Sequence, residues 1–139
     1  MEHRVKPNII VSERDSRRLT DLALGAQNRL PEISEELLME MERAKIVPPG
    51  SVPTDVVQMG STVAYEAENG TVRRVTLVFP ADADIDAGRI SIMTPIGTAL
   101  IGLSPGQSMT WRARDGKQHT LTIVSVEAPL PVEAEAQRE

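Results

Sequence analysis

The first third of the chain contains two stretches in which apolar residues recur every three or four positions, the period of a helix with one buried face. The first stretch follows Ser12, a suitable N-cap residue, and the second begins at Pro31, which suits a first helical turn. A short turn at 27–29 joins them, which predicts an antiparallel helical hairpin, a short coiled coil. The apolar positions are Leu19, Leu22, Ala23, Ala26 and Leu30 in the first helix, and Ile33, Leu37, Leu38, Met41 and Ala44 in the second.

After the hairpin the pattern changes from helical to extended. Three prolines at 46–53 prevent helix continuation, and Asn69-Gly70 and Asp115-Gly116 are typical two-residue hairpin turns. The strands that we expect are 61–66, 71–79, 89–93, 107–113 and 117–126. The sequence therefore predicts an α+β protein with a helical hairpin at 1–50, an antiparallel β domain at 51–129 and a flexible tail at 130–139.

A glycine pair in the stretch TPIGTALIGLSPGQ, at 94–107, has the spacing of a phosphate-binding loop. The residues after Gly102 are Leu103 and Ser104, whereas such a loop requires Lys followed by Ser or Thr. We instead expect a short helix that begins at Pro95 and ends near Gly102. Its inner face would cover the sheet with Ile96, Ala99, Leu100 and Leu103.

Composition narrows the class of partner. The 139 residues carry a formal net charge of -5 with acids and bases mixed, unlike a nucleic-acid-binding surface, so we expect a protein partner and no sequence-specific nucleic acid. Cysteine is absent, which excludes disulfides and thiolate metal sites and favours a reducing compartment. The chain shows neither a signal-peptide pattern nor an apolar run of about 20 residues, so we expect a cytoplasmic protein without membrane contact.

Candidate catalytic and metal-binding residues are few. The stretch at 82–88 begins like a calcium loop, but Ala87 and Met93 occupy positions that need Gly and a bidentate acid. We interpret it as an exposed acidic turn with Ile85 anchored inward. His3 and His119 have no visible catalytic partner. We therefore expect no catalytic residue, no metal and no cofactor.

Charged residues of the hairpin have two interpretations each. Glu32 and Glu35 are spaced to share a helix face and could hold Mg²⁺, although acids in a first helical turn also complement the helix dipole. The basic cluster near the start of the first helix could face a partner. We favour ion pairs between that cluster, Arg14, Arg17 and Arg18, and the acids Glu40 and Glu42 of the second helix.

Several motifs resemble one known family. The stretches DADIDAGRIS, at 82–91, and SIMTPIGTALIGLSPGQ, at 91–107, are similar to the C-terminal domain of Gre-type transcript-cleavage factors. The short hairpin, PTDVVQMGSTV at 53–63, VRRVTLVFPADADID at 72–86 and the end of the β domain more specifically resemble the Rnk family, short relatives of those factors. The resemblance covers nearly all of the chain from Asn8 to Ala128.

The resemblance implies an FKBP-like β domain without isomerase activity. It also implies a protein that binds bacterial RNA polymerase at the rim of its secondary channel and competes with Gre-type factors. We expect this protein to be a monomer. Thr94-Pro95 matches the Ser-Pro pair with which those factors dock. The implied docking surface is an exposed patch of Thr94, Pro95, Ile96 and Gly97, with Leu100 and Leu103 packed inward. Isomerase function is also disfavoured by composition, since the chain has one Phe, one Tyr and one Trp.

The hairpin departs from the Gre pattern because it is much shorter. Its tip residues, which we take as Asn28, Arg29, Glu32 and Glu35, would not reach the polymerase Mg²⁺ if the β domain docked on the rim. We therefore expect a non-enzymatic regulator. Two alternatives remain open: a Mg²⁺-assisted cleavage factor that uses Glu32 and Glu35, and a direct regulator of nucleoside diphosphate kinase, the enzyme for which the Rnk family is named.

Overall fold

The structure is a computed structural model that describes residues 6–112 and 115–129. Its elements confirm the predicted α+β class, a helical hairpin followed by a sheet with one short helix. The elements are β1 (Ile10–Ser12), α1 (Glu13–Gly25), α2 (Pro31–Arg43), β2 (Lys45–Val47), β3 (Thr62–Ala67), β4 (Val72–Val78), β5 (Arg89–Ser91), α3 (Pro95–Leu100), β6 (Ser108–Arg112) and β7 (Gln118–Glu127). The predicted flexible tail at 130–139 and His3 lie outside the described residues.

The main sheet has five strands in the order β5-β4-β3-β7-β6. Three of its four pairings are antiparallel, as predicted, and both predicted hairpin turns connect neighbouring strands. The β4–β5 pair is parallel, because the connection at 79–88 carries the chain back before β5 begins. A second parallel pair, β1–β2, joins the two ends of the helical hairpin and was not predicted from the sequence.

One continuous apolar core joins the hairpin to the sheet. Leu19 and Leu37 of the hairpin belong to the same buried cluster as Leu77, Leu100 and Ile123 of the β domain. The segment after the prolines is also packed, with Val52, Val56, Val57 and Met59 buried. The hairpin therefore lies against the β domain and does not project freely from it, and the boundary near residue 50 stays a prediction.

The hairpin base is attached where the chain crosses the end of α3. The Ile10 amide donates a hydrogen bond to the Gly102 carbonyl at 3.2 Å, and the Gln107 side chain donates to the Asn8 carbonyl at 3.2 Å. Gly102 has a φ of 81°, and a Cβ there would lie 2.6 Å from the Ile9 Cβ. Only glycine accommodates both this backbone conformation and this close crossing.

Two buried carboxylates connect the hairpin with its surroundings. Asp15 accepts hydrogen bonds from Arg18 at 2.6 Å and from the Met59 amide at 3.3 Å. Glu40 accepts from Arg43 at 2.8 Å and from Lys6 at 3.1 Å. Both acids thus have the partners that a buried charge requires.

The ion pairs that we expected between the arginine cluster of α1 and Glu40 or Glu42 are not those observed. Arg18 instead pairs with Asp15, three residues earlier on the same helix, and its guanidinium lies 4.8 Å from the centre of the Phe79 ring. Residues three apart on one helix are direct neighbours, whereas the Glu40 carboxylate is already occupied by Arg43 and Lys6.

The crossing at Gly102 predicts a specific loss of stability. Gly102→Ala places an alanine in the left-handed backbone conformation, which costs about 1–2 kcal/mol, and its Cβ also clashes with Ile9. Gly106→Ala has the same backbone cost without a clash, since a Cβ at Gly106 meets nothing within 4 Å. We expect Gly102→Ala to lose about 1–3 kcal/mol more in urea unfolding than Gly106→Ala, because overpacking against Ile9 and the Ile10 backbone costs that much. Equal losses would contradict the close crossing.

Candidate functional site

The N-terminus of α3 is held rigidly by hydroxyl groups. The Thr94 hydroxyl accepts from the Gly97 amide at 3.1 Å and donates to the Ser91 carbonyl at 2.7 Å. The Thr98 hydroxyl donates to the Ile92 carbonyl at 2.8 Å. Pro95 occupies the first helical position, where its missing amide hydrogen costs nothing. These contacts fix the position of the Pro95 ring.

The surface around Pro95 is smaller than expected. Thr94, Pro95 and Ile96 are half-buried, and Gly97 is buried. A Cβ at Gly97 would lie 2.2 Å from the Ser91 carbonyl oxygen, so this glycine is required by close packing and offers no side chain to a partner. Leu100 and Leu103 are fully buried, as predicted.

A cleft of about 450 Å³ lies between Pro95 and the hairpin tip. We call it the tip cleft. Its apolar walls come from both parts of the protein, and charged side chains of both signs surround them. The lining residues are Arg29, Leu30, Pro31, Glu32, Ile33 and Glu36 from the hairpin, and Met93, Pro95 and Arg112 from the β domain.

The tip cleft brings together only some of the residues singled out in the sequence. Arg29 and Glu32 lie with Pro95, whereas Asn28 and Glu35 are exposed outside the cleft lining. The spacing of Glu32 and Glu35 therefore does not place both carboxylates in this cleft. Sequence reasoning missed Arg112, which reaches the cleft from β6, because no local pattern links a strand residue with a distant helix.

Negative charge accumulates along α2 beside the tip cleft. Burial raises the pKa of Glu36 above its ordinary value, and Glu40, Glu32 and Glu35 add to the rise, while Lys6 opposes it. The ionised form of Glu36 is therefore less favourable in the folded protein than in water. Across 6–112 and 115–129, no group of three or more His, Asp or Glu side chains is arranged to hold a metal ion.

His119 lies next to an aromatic ring and two acidic side chains. His119 is half-buried, with its ring centre 5.1 Å from that of Trp111 and its nitrogens 3.6 Å from Glu68 and 3.8 Å from Asp115.

Ile85, which we expected to point inward, is 82% exposed, so that expectation was wrong. The short 3-10 turn at Ile85–Ala87 directs this side chain away from the sheet.

Each of the two parts of the chain matches a known protein family. The family "Transcription elongation factor, GreA/GreB, C-term" matches residues 52–128, and the family "Rnk N-terminus" matches residues 7–47. A solved structure, a GreA/GreB elongation factor from Nitrosomonas europaea, is 34% identical with a TM-score of 0.70, covering 86% of this chain and 99% of that one. None of the described helices is long and apolar enough to cross a membrane.

Curated relatives come from the same two groups of proteins. The "Regulator of nucleoside diphosphate kinase" of Escherichia coli K12 is 36% identical over 88% of this chain and 90% of its own length. The elongation factor GreA of Azorhizobium caulinodans is 33% identical over 75% of this chain and 72% of its own length.

The β domain therefore defines a Gre-related transcription regulator, and the FKBP-like fold implied by the resemblance is confirmed. The short hairpin makes the assignment more specific. The chain belongs to the Rnk family.

The raised pKa of Glu36 predicts a pH-dependent stability. The folded state holds the Glu36 proton more tightly than the unfolded state does, so ionisation above the ordinary value of 4.5 favours unfolding. Glu36→Gln removes that cost and should raise the melting temperature at pH 7. The gain should shrink as the pH falls through the raised pKa, and should vanish below the ordinary value.

Circular dichroism melts at pH 7 and pH 4 measure this effect. Asp21→Asn is the matched control, since it removes the same charge from an exposed position of α1 outside the tip cleft. A lower melting temperature for Glu36→Gln at pH 7 would show that the carboxylate stabilises the fold.

Proposed function

We propose that this protein is a non-enzymatic transcription regulator that binds bacterial RNA polymerase at the rim of its secondary channel and competes with Gre-type cleavage factors. The observation that carries the proposal is the rigid, half-exposed Pro95 at the start of α3, within the domain that matches the GreA/GreB family. It acts as a monomer in the cytoplasm, where that polymerase works.

The geometry of the hairpin supports a role without catalysis. Its helices have thirteen residues each, hence a length of about 20 Å. They pack back along the β domain, so that the tip lies beside Pro95 in the tip cleft. With Pro95 docked on a partner, Glu32 would stay close to the docking surface. A distant metal ion inside that partner would be out of reach.

This arrangement disfavours the alternative of a Mg²⁺-assisted cleavage factor. Such a factor would use Glu32 and Glu35 together, and only Glu32 lines the tip cleft. Inhibition by occupancy is the simpler mechanism, because a protein that covers the rim excludes a factor that needs the same surface.

One curated relative is named a regulator of nucleoside diphosphate kinase. No contact in the described structure favours a direct kinase complex, so we propose polymerase as the partner.

Displacement of a labelled Gre-type factor from purified polymerase tests the proposal. The wild type should displace the label with a midpoint set by the ratio of the two affinities. Pro95→Asp should raise that midpoint at least about tenfold, because interface energy concentrates in a few anchors and a charge there is poorly accommodated. Aspartate in a first helical turn complements the helix dipole, so α3 should still form.

Pro105→Asp is the matched control, since Pro105 is an exposed proline of the same domain, in the turn after α3. It should displace the label as the wild type does, with both variants checked by thermal melting. If the label stayed bound at saturating wild type, with both proteins on one polymerase, the shared docking surface would be wrong. Equal midpoints for Pro95→Asp and wild type would remove Pro95 from the interface.

A further inference from the structure

The connection between β4 and β5 presents an unusual surface. We call residues 80–88 the acidic loop. Residues 80–87 are all exposed, and the eight side chains comprise three aspartates and five apolar residues, among them Ile85 and Pro80. Ile85 is 82% exposed, compared with 58% for Val72 and 51% for Leu24. The most exposed large apolar side chain of the described residues thus lies in this loop.

The acidic loop is held in place by its own hydrogen bonds. Asp84 and Arg89 exchange two backbone hydrogen bonds, each 2.9 Å long. The Thr76 amide donates to the Gly88 carbonyl at 2.8 Å, and the Arg89 side chain donates to the Asp82 carbonyl at 3.1 Å. Gly88 closes the 3-10 turn at Ile85–Ala87 with a φ of 77°. Because the backbone is fixed in this way, Ile85 cannot turn into the core without breaking these bonds.

A single exposed apolar side chain is common on protein surfaces. This one differs because a fixed backbone presents it at low entropic cost, and aspartates precede and follow it in the sequence. Arg89 lies 3.5 Å from the Asp84 carboxylate. Asp82 and Asp86 remain exposed. An apolar anchor surrounded by negative charge is complementary to an apolar depression bordered by lysine or arginine.

The acidic loop and the Pro95 surface are close enough for one interface. Backbone hydrogen bonds hold Asp84 of the loop beside Arg89. Residues 89–94 lead from there to Pro95 and span at most about 22 Å when extended. A typical protein interface buries about 800 Å² on each partner, a patch roughly 30 Å across. One partner could therefore contact both surfaces.

We propose that the acidic loop is a second contact surface for RNA polymerase, in which Ile85 enters an apolar depression bordered by basic side chains. Asp82 and Asp86 pair with those basic side chains at the rim of the contact. This inference rests on the proposed polymerase binding and adds to it a residue outside the implied docking patch at 94–97.

Direct binding of the full chain to purified RNA polymerase tests the inference. Ile85→Ser should weaken binding about tenfold or more, as the loss of an interface anchor does. Its melting temperature should match that of the wild type, because Ile85 makes little contact with the core. Val72→Ser is the matched control, a similarly exposed apolar side chain on β4, and should bind within about twofold of wild type.

Substitution of the aspartates tests the proposed basic border of the contact. Asp82→Asn combined with Asp86→Asn should weaken binding at low salt and reduce the dependence of the affinity on salt, since exposed charges act over about a Debye length. An unchanged salt dependence would remove the proposed basic border.

The outcomes separate this inference from the proposal on which it rests. If wild type fails to bind polymerase, both are wrong. If wild type binds, Pro95→Asp is impaired and Ile85→Ser binds as wild type, only the inference about the acidic loop is wrong. Loss of binding by Ile85→Ser with retention by Val72→Ser supports it.

Discussion

The arrangement of the molecule depends on the crossing of the N-terminal segment over Gly102. There the Ile10 amide reaches the Gly102 carbonyl, and the absence of a Cβ lets Ile9 pack directly on the backbone. The crossing fixes where β1 and hence α1 begin. It also fixes the return of the chain at β2, which pairs with β1. The hairpin is thereby directed along the β domain, and its tip lies next to Pro95.

Buried charges reinforce this direction. Asp15 connects the first turn of α1 with the Met59 amide, and Glu40 connects the end of α2 with Lys6 in the N-terminal segment. A buried carboxylate that loses its partners costs several kcal/mol, so both contacts oppose movement of the hairpin away from the sheet. The hairpin and the β domain therefore behave as one body with one core. A regulator built in this way presents the tip and the proposed docking surface together.

Periodicity and turn chemistry were sufficient to predict most elements. The Ser12 cap, Pro31 and the Asn69-Gly70 turn act locally, and the structure places helices and strands where they indicate. The direction of β5 could not be predicted, since a strand of three residues pairs equally well in either sense. The β1–β2 pair depends on the crossing at Gly102, which no local signal reveals.

The site was harder to predict than the fold. Gly97 was placed in the implied docking patch, yet its close approach to the Ser91 carbonyl leaves it buried. Ile85 follows an apolar pattern that suggests an inward side chain, but the hydrogen bonds between Asp84 and Arg89 turn it outward. Arg112 enters the tip cleft because β6 packs against α3, and α3 in turn against α2. In each case tertiary contacts decide the exposure of the side chain.

The distance between the hairpin tip and the β domain shows whether the hairpin packs against the sheet in solution. The chain has no cysteine, so Asn28→Cys and Arg112→Cys give two unique positions for spin labels. Pulsed electron paramagnetic resonance on the free protein should give one narrow distribution at short distance, since the tip lies against the β domain. A broad distribution, or one longer by up to about 20 Å, the length of a thirteen-residue helix, would show that the hairpin projects away from the β domain.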